Sequence, residues 1–237
     1  MSALLESVQT AGALVLQADP VLLRTVGLSL AVSGQATLCA AALGLSLGAW
    51  LAIAKFPGHR LCVLLLNTLL ALPSVLVGLL MYLLLSRSGP LGTWGILFTP
   101  TAMVIAQTVL VLPVVAALTR QLVGDSLRDG GDQLRSMGAG PLACALLMLV
   151  HDRWAVLTVL IAAFGRAIAE VGAVMIVGGN IDGFTRVMTT TIALETSKGD
   201  LPLAMALGIV LLAVVGVVNT LLGLAQRGQG SALAGVR

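Results

Sequence analysis

The sequence predicts an all-α polytopic membrane protein with about five transmembrane helices. Three observations lead there. Apolar residues make up 58% of the chain and charged residues only 10%, where soluble domains hold roughly 25% charged residues. The mean hydropathy is +1.06. The apolar residues also gather into five long runs, and a helix crossing a hydrocarbon core about 30 Å thick needs about 20 such residues. The short alternating segments of an outer-membrane barrel are absent.

Taken in order, the first nineteen residues, MSALLESVQTAGALVLQAD, are mildly amphipathic. They hold no basic residue ahead of Arg24, so a secretory signal with a positive start does not fit. Residues 1–24 are expected to form an interfacial helix leading into the first span. The five spans are predicted over residues 25–54, 61–85, 94–118, 154–178 and 201–224. Residues 25–224 thus form one transmembrane domain, and residues 225–237 form a cytoplasmic tail. Pro73 and Pro113 interrupt spans two and three, where kinks are tolerated if neighbours re-satisfy the freed carbonyls. Gly44 with Gly48, and Ala204 with Gly208, are small residues one helical turn apart that allow close helix approach.

Orientation follows from the basic residues. With five spans, one side receives Lys55, Arg60, Arg120, Arg128, Arg135, Arg153, Arg227 and Arg237, while the other receives only Arg24, Arg87, Arg186 and Lys198. The richer side is expected to be cytoplasmic, which places the N-terminus outside and the C-terminus inside.

Several function classes are excluded. The net charge is +3, but the basic residues form no cluster and the chain holds a single Tyr, so a nucleic-acid surface is not expected. Neither Lys55 nor Lys198 closes a Gly-rich phosphate loop, so ATP is not bound here in the P-loop manner. HExxH is absent, and His59 and His151 flank spans rather than lie within them. An intramembrane Ser–His dyad is also missing. Cys39, Cys62 and Cys144 are isolated and read as small hydrophobes. The two halves do not repeat one another as in many secondary carriers.

Two stretches invite chemistry. The first, DSLRDGGDQLRSMGAGPLACALLMLVHDRW, covers residues 125–154 and exceeds what a simple connector needs. Gly138 and Gly140 permit a sharp turn, and Pro141 suits the first position of a helix. A short polar helix, a turn and an apolar helix would make a protruding knob. The second is LIAAFGRAIAEVGAVMIVGGN, which carries Arg166 and Glu170 near the middle of a span. Each charge at that depth costs about 2.5–3.5 kcal/mol on an insertion scale, so the two are expected to face a bundle interior or a watery path. Four residues apart they share a helix face, although Arg ahead of Glu is the weaker order on an isolated helix. Further on, GGNIDGFTRVMTT exposes backbone N–H groups and hydroxyls beside Arg186, a set suited to oxyanion contact.

These residues resemble a known family. DQLRSMG, from Asp132 to Gly138, looks like the EAAxxxG coupling motif of ATP-binding-cassette importer permeases, with Gln133 and Leu134 in place of the two alanines. Val150-His151 stands where Leu-Pro is usual. The stretch FGRAIAEVGAVMIVGGNIDGFTRVMTTTIALETSKGD resembles the oxyanion branch of these permeases, and its form looks most like the tungstate-specific members. NTLLALPSVLVGLLMYLLLSRSGPLG and LFTPTAMVIAQTVL are similar to the same group.

The resemblance implies the type I importer permease fold, with residues 125–153 as the cytoplasmic coupling segment and Asp132, Gln133, Leu134 and Gly138 meeting the ATPase. It implies a homodimer embedded in lipid in the inner membrane, two copies of a separate ATPase that carries ATP and Mg, and an external tungstate-binding protein. No cofactor is expected in this chain. Arg166, Glu170, Asn180, Thr185 and Arg186 are the pathway candidates. Tungstate leads, with molybdate and sulfate as alternatives. The residues alone leave open a passive or proton-coupled anion carrier, or a purely structural subunit.

Overall fold

A computed structural model describes residues 8–10, 12, 13, 16 and 20–234, without the side chains of 221, 222 and 224–234. The expected N-terminal helix therefore lies mostly outside the described residues. From Pro20 onward the regular structure is helical, and no strand occurs among the described residues.

Helix α1 (Pro20–Ile53) has a proline at its start, where no intrahelical N–H is needed, and then thirty-three residues without another. It ends ahead of Pro57 and of Gly58, whose φ of +93° suits glycine. Helices α2 (His59–Leu69) and α3 (Ser74–Leu85) are bent by 100° at Pro73, which has no N–H to continue a ladder. A short 3-10 turn (Gly92–Trp94) follows. Helix α4 (Pro100–Ser136) starts at the Thr99 cap, whose hydroxyl accepts the Ala102 N–H, and runs unbroken past Pro113. Its thirty-seven residues span about 55 Å, which leaves roughly 25 Å beyond a hydrocarbon core.

Gly138, at φ +86°, turns the chain into α5 (Pro141–His151), with Pro141 at the first helical position as expected. At Asp152 the chain bends by 76° into α6 (Arg153–Ile168), and the Ser126 hydroxyl of α4 donates to the Asp152 carboxylate. After a break come α7 (Gly172–Gly178), α8 (Met188–Lys198) and α9 (Leu201–Ala234).

α1 against α4 is the most extensive helix pair among the described residues. Glycine makes it possible. A Cβ on Gly44 would stand 2.8 Å from Val115 Cβ, and one on Gly48 would stand 2.5 Å from the Ala116 carbonyl oxygen. The second small-residue pair is different, because a Cβ on Gly208 would meet nothing within 4 Å. The main core joins Val32 of α1, Val77 and Met81 of α3, Met103 and Ala106 of α4, and Val174 and Val177 of α7. A second cluster packs Leu22, Met188, Ala206, Leu207 and Val210 across α1, α8 and α9.

Three expectations need correction. Span two is a bent pair rather than one helix, because Pro73 lies at its centre. The polar helix of the knob is the continuation of α4, since nothing in residues 119–136 breaks the ladder. Span four is broken at 169–171, and α8 occupies the stretch expected to be a connection. Among the described residues, three helices are continuous and apolar enough to cross a membrane, or up to five if each bent pair is one span.

The α1–α4 seam yields the first prediction. Gly48→Ala forces a Cβ against backbone that cannot swing aside, an overpacking worth about 1–3 kcal/mol. Gly208→Ala, with open space around it, should not lower stability, since alanine is the better helix former. Denaturant unfolding in detergent checks both.

Candidate functional site

The break after α6 lays bare polar backbone where water is scarce, and side chains from three parts of the chain satisfy it. The Gln107 amide Nε2 of α4 donates to the Ala167 carbonyl at 3.0 Å. The Thr189 hydroxyl of α8 donates to the Glu170 carbonyl at 2.8 Å. Glu170 Oε1 accepts the Ala173 N–H at 3.1 Å, one of the donors left free in the first turn of α7. Its other oxygen takes the Arg166 guanidinium at 2.7 Å, and the Ser74 hydroxyl of α3 is a further neighbour.

Arg166 and Glu170 thus meet as expected, but not on one helix. Arg166 lies in the last turn of α6, where a helix dipole favours a cation, and Glu170 lies just before α7, where it favours an anion. The order that is weak on one helix becomes favourable across a break. The burial is also uneven. The Glu170 side chain is 3% exposed and that of Arg166 is 40% exposed. The carboxylate is locked in the core while the guanidinium reaches the surface of the subunit.

The seven residues of α7, about 10 Å long, separate this pair from the loop at 179–187. There the Thr185 hydroxyl donates to the Gly178 carbonyl at 2.6 Å and accepts the Ile181 N–H at 2.9 Å. Thr185 is buried, so its hydroxyl closes the loop rather than facing a path. Asn180 adopts φ +48° and its carbonyl accepts Arg186 Nη2 at 3.5 Å. Arg186 also pairs with Asp182 at 3.2 Å, and its Nε is buried without a hydrogen-bond partner. Beside it opens a cavity of about 610 Å³ lined by Arg24, Thr25, Asp182, Gly183 and Arg186. Two arginines from distant parts of the chain thereby share one cleft.

The coupling candidates lie at the far end of α4. Asp132 is 96% exposed and pairs loosely with Arg135 at 3.2 Å. Gln133 and Gly138 are exposed and Leu134 is half-buried. Between the α4 extension and α5 runs a groove lined by Ser126, Asp129, Gln133, Leu134, Met148 and Asp152. The apolar side chains of Met137, Leu142, Leu146 and Val150 stand exposed on the knob.

Sequence reasoning missed Gln107, Thr189, Arg24 and Asp182. Gln107 carried a usable signal, as a polar amide inside an apolar span usually has a specific partner. Thr189 carried none, being one of three consecutive threonines.

The chain is 41% identical over 226 residues to the tungstate uptake system permease protein TupB of Peptoclostridium acidaminophilum, a match covering 94% of this chain and 97% of that protein. It is 42% identical over 205 residues to a probable anion ABC transporter permease protein of Haloferax volcanii, covering 84% and 88%. At 32% identity over 179 residues it also matches the sulfate transport system permease protein CysW of Escherichia coli, covering 71% of this chain and 60% of that one. No family model matches the chain.

The Thr185 geometry gives a prediction. Thr185→Val leaves a carbonyl and an N–H of the loop unpaired, at about 1–3 kcal/mol for each buried group. Hydrogen exchange at residues 178–187 should quicken while exchange in α4 stays slow.

Proposed function

Since the chain belongs to the anion permeases of the ABC-transporter class, we propose that it is the membrane-spanning subunit of an ATP-driven importer of tungstate. The observation that carries this reading is the likeness, over nearly the full length of both chains, to a tungstate uptake permease. A multi-pass protein of the inner membrane is what its helices and its relatives both describe. Molybdate or sulfate is the second reading, favoured by the weaker likeness to a sulfate permease.

In this reading two copies of the chain form the pathway between them. A separate ATPase, which carries ATP and Mg, docks on each knob, and an extracytoplasmic binding protein delivers the anion at the mouth near Arg24 and Arg186. The uneven burial of the charge pair suits a path at the subunit surface. Arg166, half in the open, is available to a passing dianion, while Glu170 is anchored by its hydrogen bonds and competes for the same guanidinium. That competition keeps the anion from being trapped. Arg186, held by Asp182 and the Asn180 carbonyl, supplies a second fixed positive charge farther out.

The test of the function is reconstitution of the permease with its ATPase and binding protein in proteoliposomes, with internal tungsten, molybdenum and sulfur measured by mass spectrometry. ATP-dependent tungsten accumulation is expected. Accumulation without ATP would point to a passive carrier, and accumulation of sulfate alone would point to the second reading. In the same system Arg166→Gln should lower uptake with the complex intact. Glu170→Gln should slow turnover more than it harms assembly, with tighter anion retention.

The coupling role has its own expected outcome. Gly138 sits at φ +86° with open space around a would-be Cβ, so a side chain there meets backbone strain alone, about 1–2 kcal/mol. Gly138→Val should reduce co-purification of the ATPase while membrane insertion remains normal.

A further inference from the structure

One cleft belongs neither to the charge pair nor to the outer loop. It opens at the knob end of the bundle, between the end of α1, the turn after it, the α4 extension and the start of α5, and its volume is about 860 Å³. Lys55, Arg120, Arg128 and Arg135 line it, with His59 and one carboxylate, Asp132. Arg128 is held by Asp125 at 2.7 Å and Arg135 by Asp132 at 3.2 Å. Lys55 and Arg120 form no ion pair among the described residues. The Arg120 Nε is buried with no hydrogen-bond partner. After Asp125 and Asp132 are counted, the cleft keeps a surplus of two positive charges. The rest of its wall is apolar, from Leu51, Ile53 and Leu127 to Pro141.

Depth decides what such a cleft can take. Arg120 lies twenty residues beyond Pro100 along unbroken α4, which is about 30 Å and matches the hydrocarbon thickness. Lys55 follows shortly after α1 ends at Ile53. Both cations therefore stand at the membrane boundary on the knob side. The α1–α4 seam fixes Arg120 there, because a Cβ on Gly48 would lie only 3.0 Å from its backbone nitrogen.

We propose that this cleft holds the headgroup of an acidic phospholipid of the cytoplasmic leaflet. Lys55 and Arg120 take the phosphate oxygens, and the glycerol and first acyl carbons lie on the apolar wall. Basic pockets between helices on the cytoplasmic side recognise acidic headgroups in this way. A zwitterionic lipid would bring its own cation into a cleft already in positive surplus. A free oxyanion would leave the apolar wall unused.

The test is native mass spectrometry of the full chain released from nanodiscs of phosphatidylcholine and phosphatidylglycerol in about a 3:1 ratio. Phosphatidylglycerol should be retained in preference to phosphatidylcholine. Lys55→Gln and Arg120→Gln should each weaken that retention about fivefold, the effect of about 1 kcal/mol per basic residue near an anionic surface. Arg87→Gln, on the opposite side, should not. Lys55 is exposed in the connection after α1, so its variant tests the site even if the Arg120 variant fails to fold. Equal retention of the two lipids, unchanged retention in Lys55→Gln, or displacement of phosphatidylglycerol by millimolar tungstate would each overturn the assignment.

Discussion

Backbone polar groups freed within a bilayer have to find partners inside the protein, and the break after α6 is where that demand is greatest here. The Ala167 and Glu170 carbonyls and the Ala173 N–H are taken by Gln107, Thr189 and Glu170. Those partners come from α4, α8 and the break itself, so three parts of the chain must converge on one point. The close approach of α3 to α7 serves the same end. A Cβ on Gly78 would stand 2.8 Å from Ala173 Cα, and one on Gly172 would stand 2.9 Å from Ser74 Oγ. Small residues on both sides bring the Ser74 hydroxyl within reach of the carboxylate and bury α7 in the core.

The same break explains how two opposite charges can sit in an apolar segment. A buried ion pair repays its desolvation only with good geometry and further hydrogen bonds. Glu170 has both, while Arg166 keeps part of its guanidinium outside the subunit. The asymmetry divides the pair: the acid holds the helix break together, and the base is partly exposed.

α4 ties this site to the knob. It carries Gln107 at the break, Gly48's partners Ala116 and Thr119 along the α1 seam, and Ser126 against Asp152 where α5 bends into α6. The helix is unbroken across Pro113, so Gln107 at the break and Ser126 at the knob belong to one continuous element.

Composition and patterning determined that the chain is helical and crosses the membrane several times, because hydrocarbon thickness leaves a run of about 20 apolar residues little other use. Local chemistry also determined the turn at Gly138 and the helix start at Pro141, since these depend on single residues and their neighbours. The close pairing at Gly44 and Gly48 was legible as a possibility, though the identical signal at Gly208 packs against nothing. Only the tertiary structure decided the break after α6. Residues 154–178 read as one apolar run, and nothing local forbids a helix through Ala169. The break exists because Gln107 and Thr189, sixty residues before it and nineteen after, arrive to satisfy the groups it frees. Thr185 shows the same limit: its sequence context suggested an exposed hydroxyl, and the fold uses that hydroxyl to close a loop. Hydrogen bonds between distant segments leave no periodicity in the sequence, so their outcome is settled by packing.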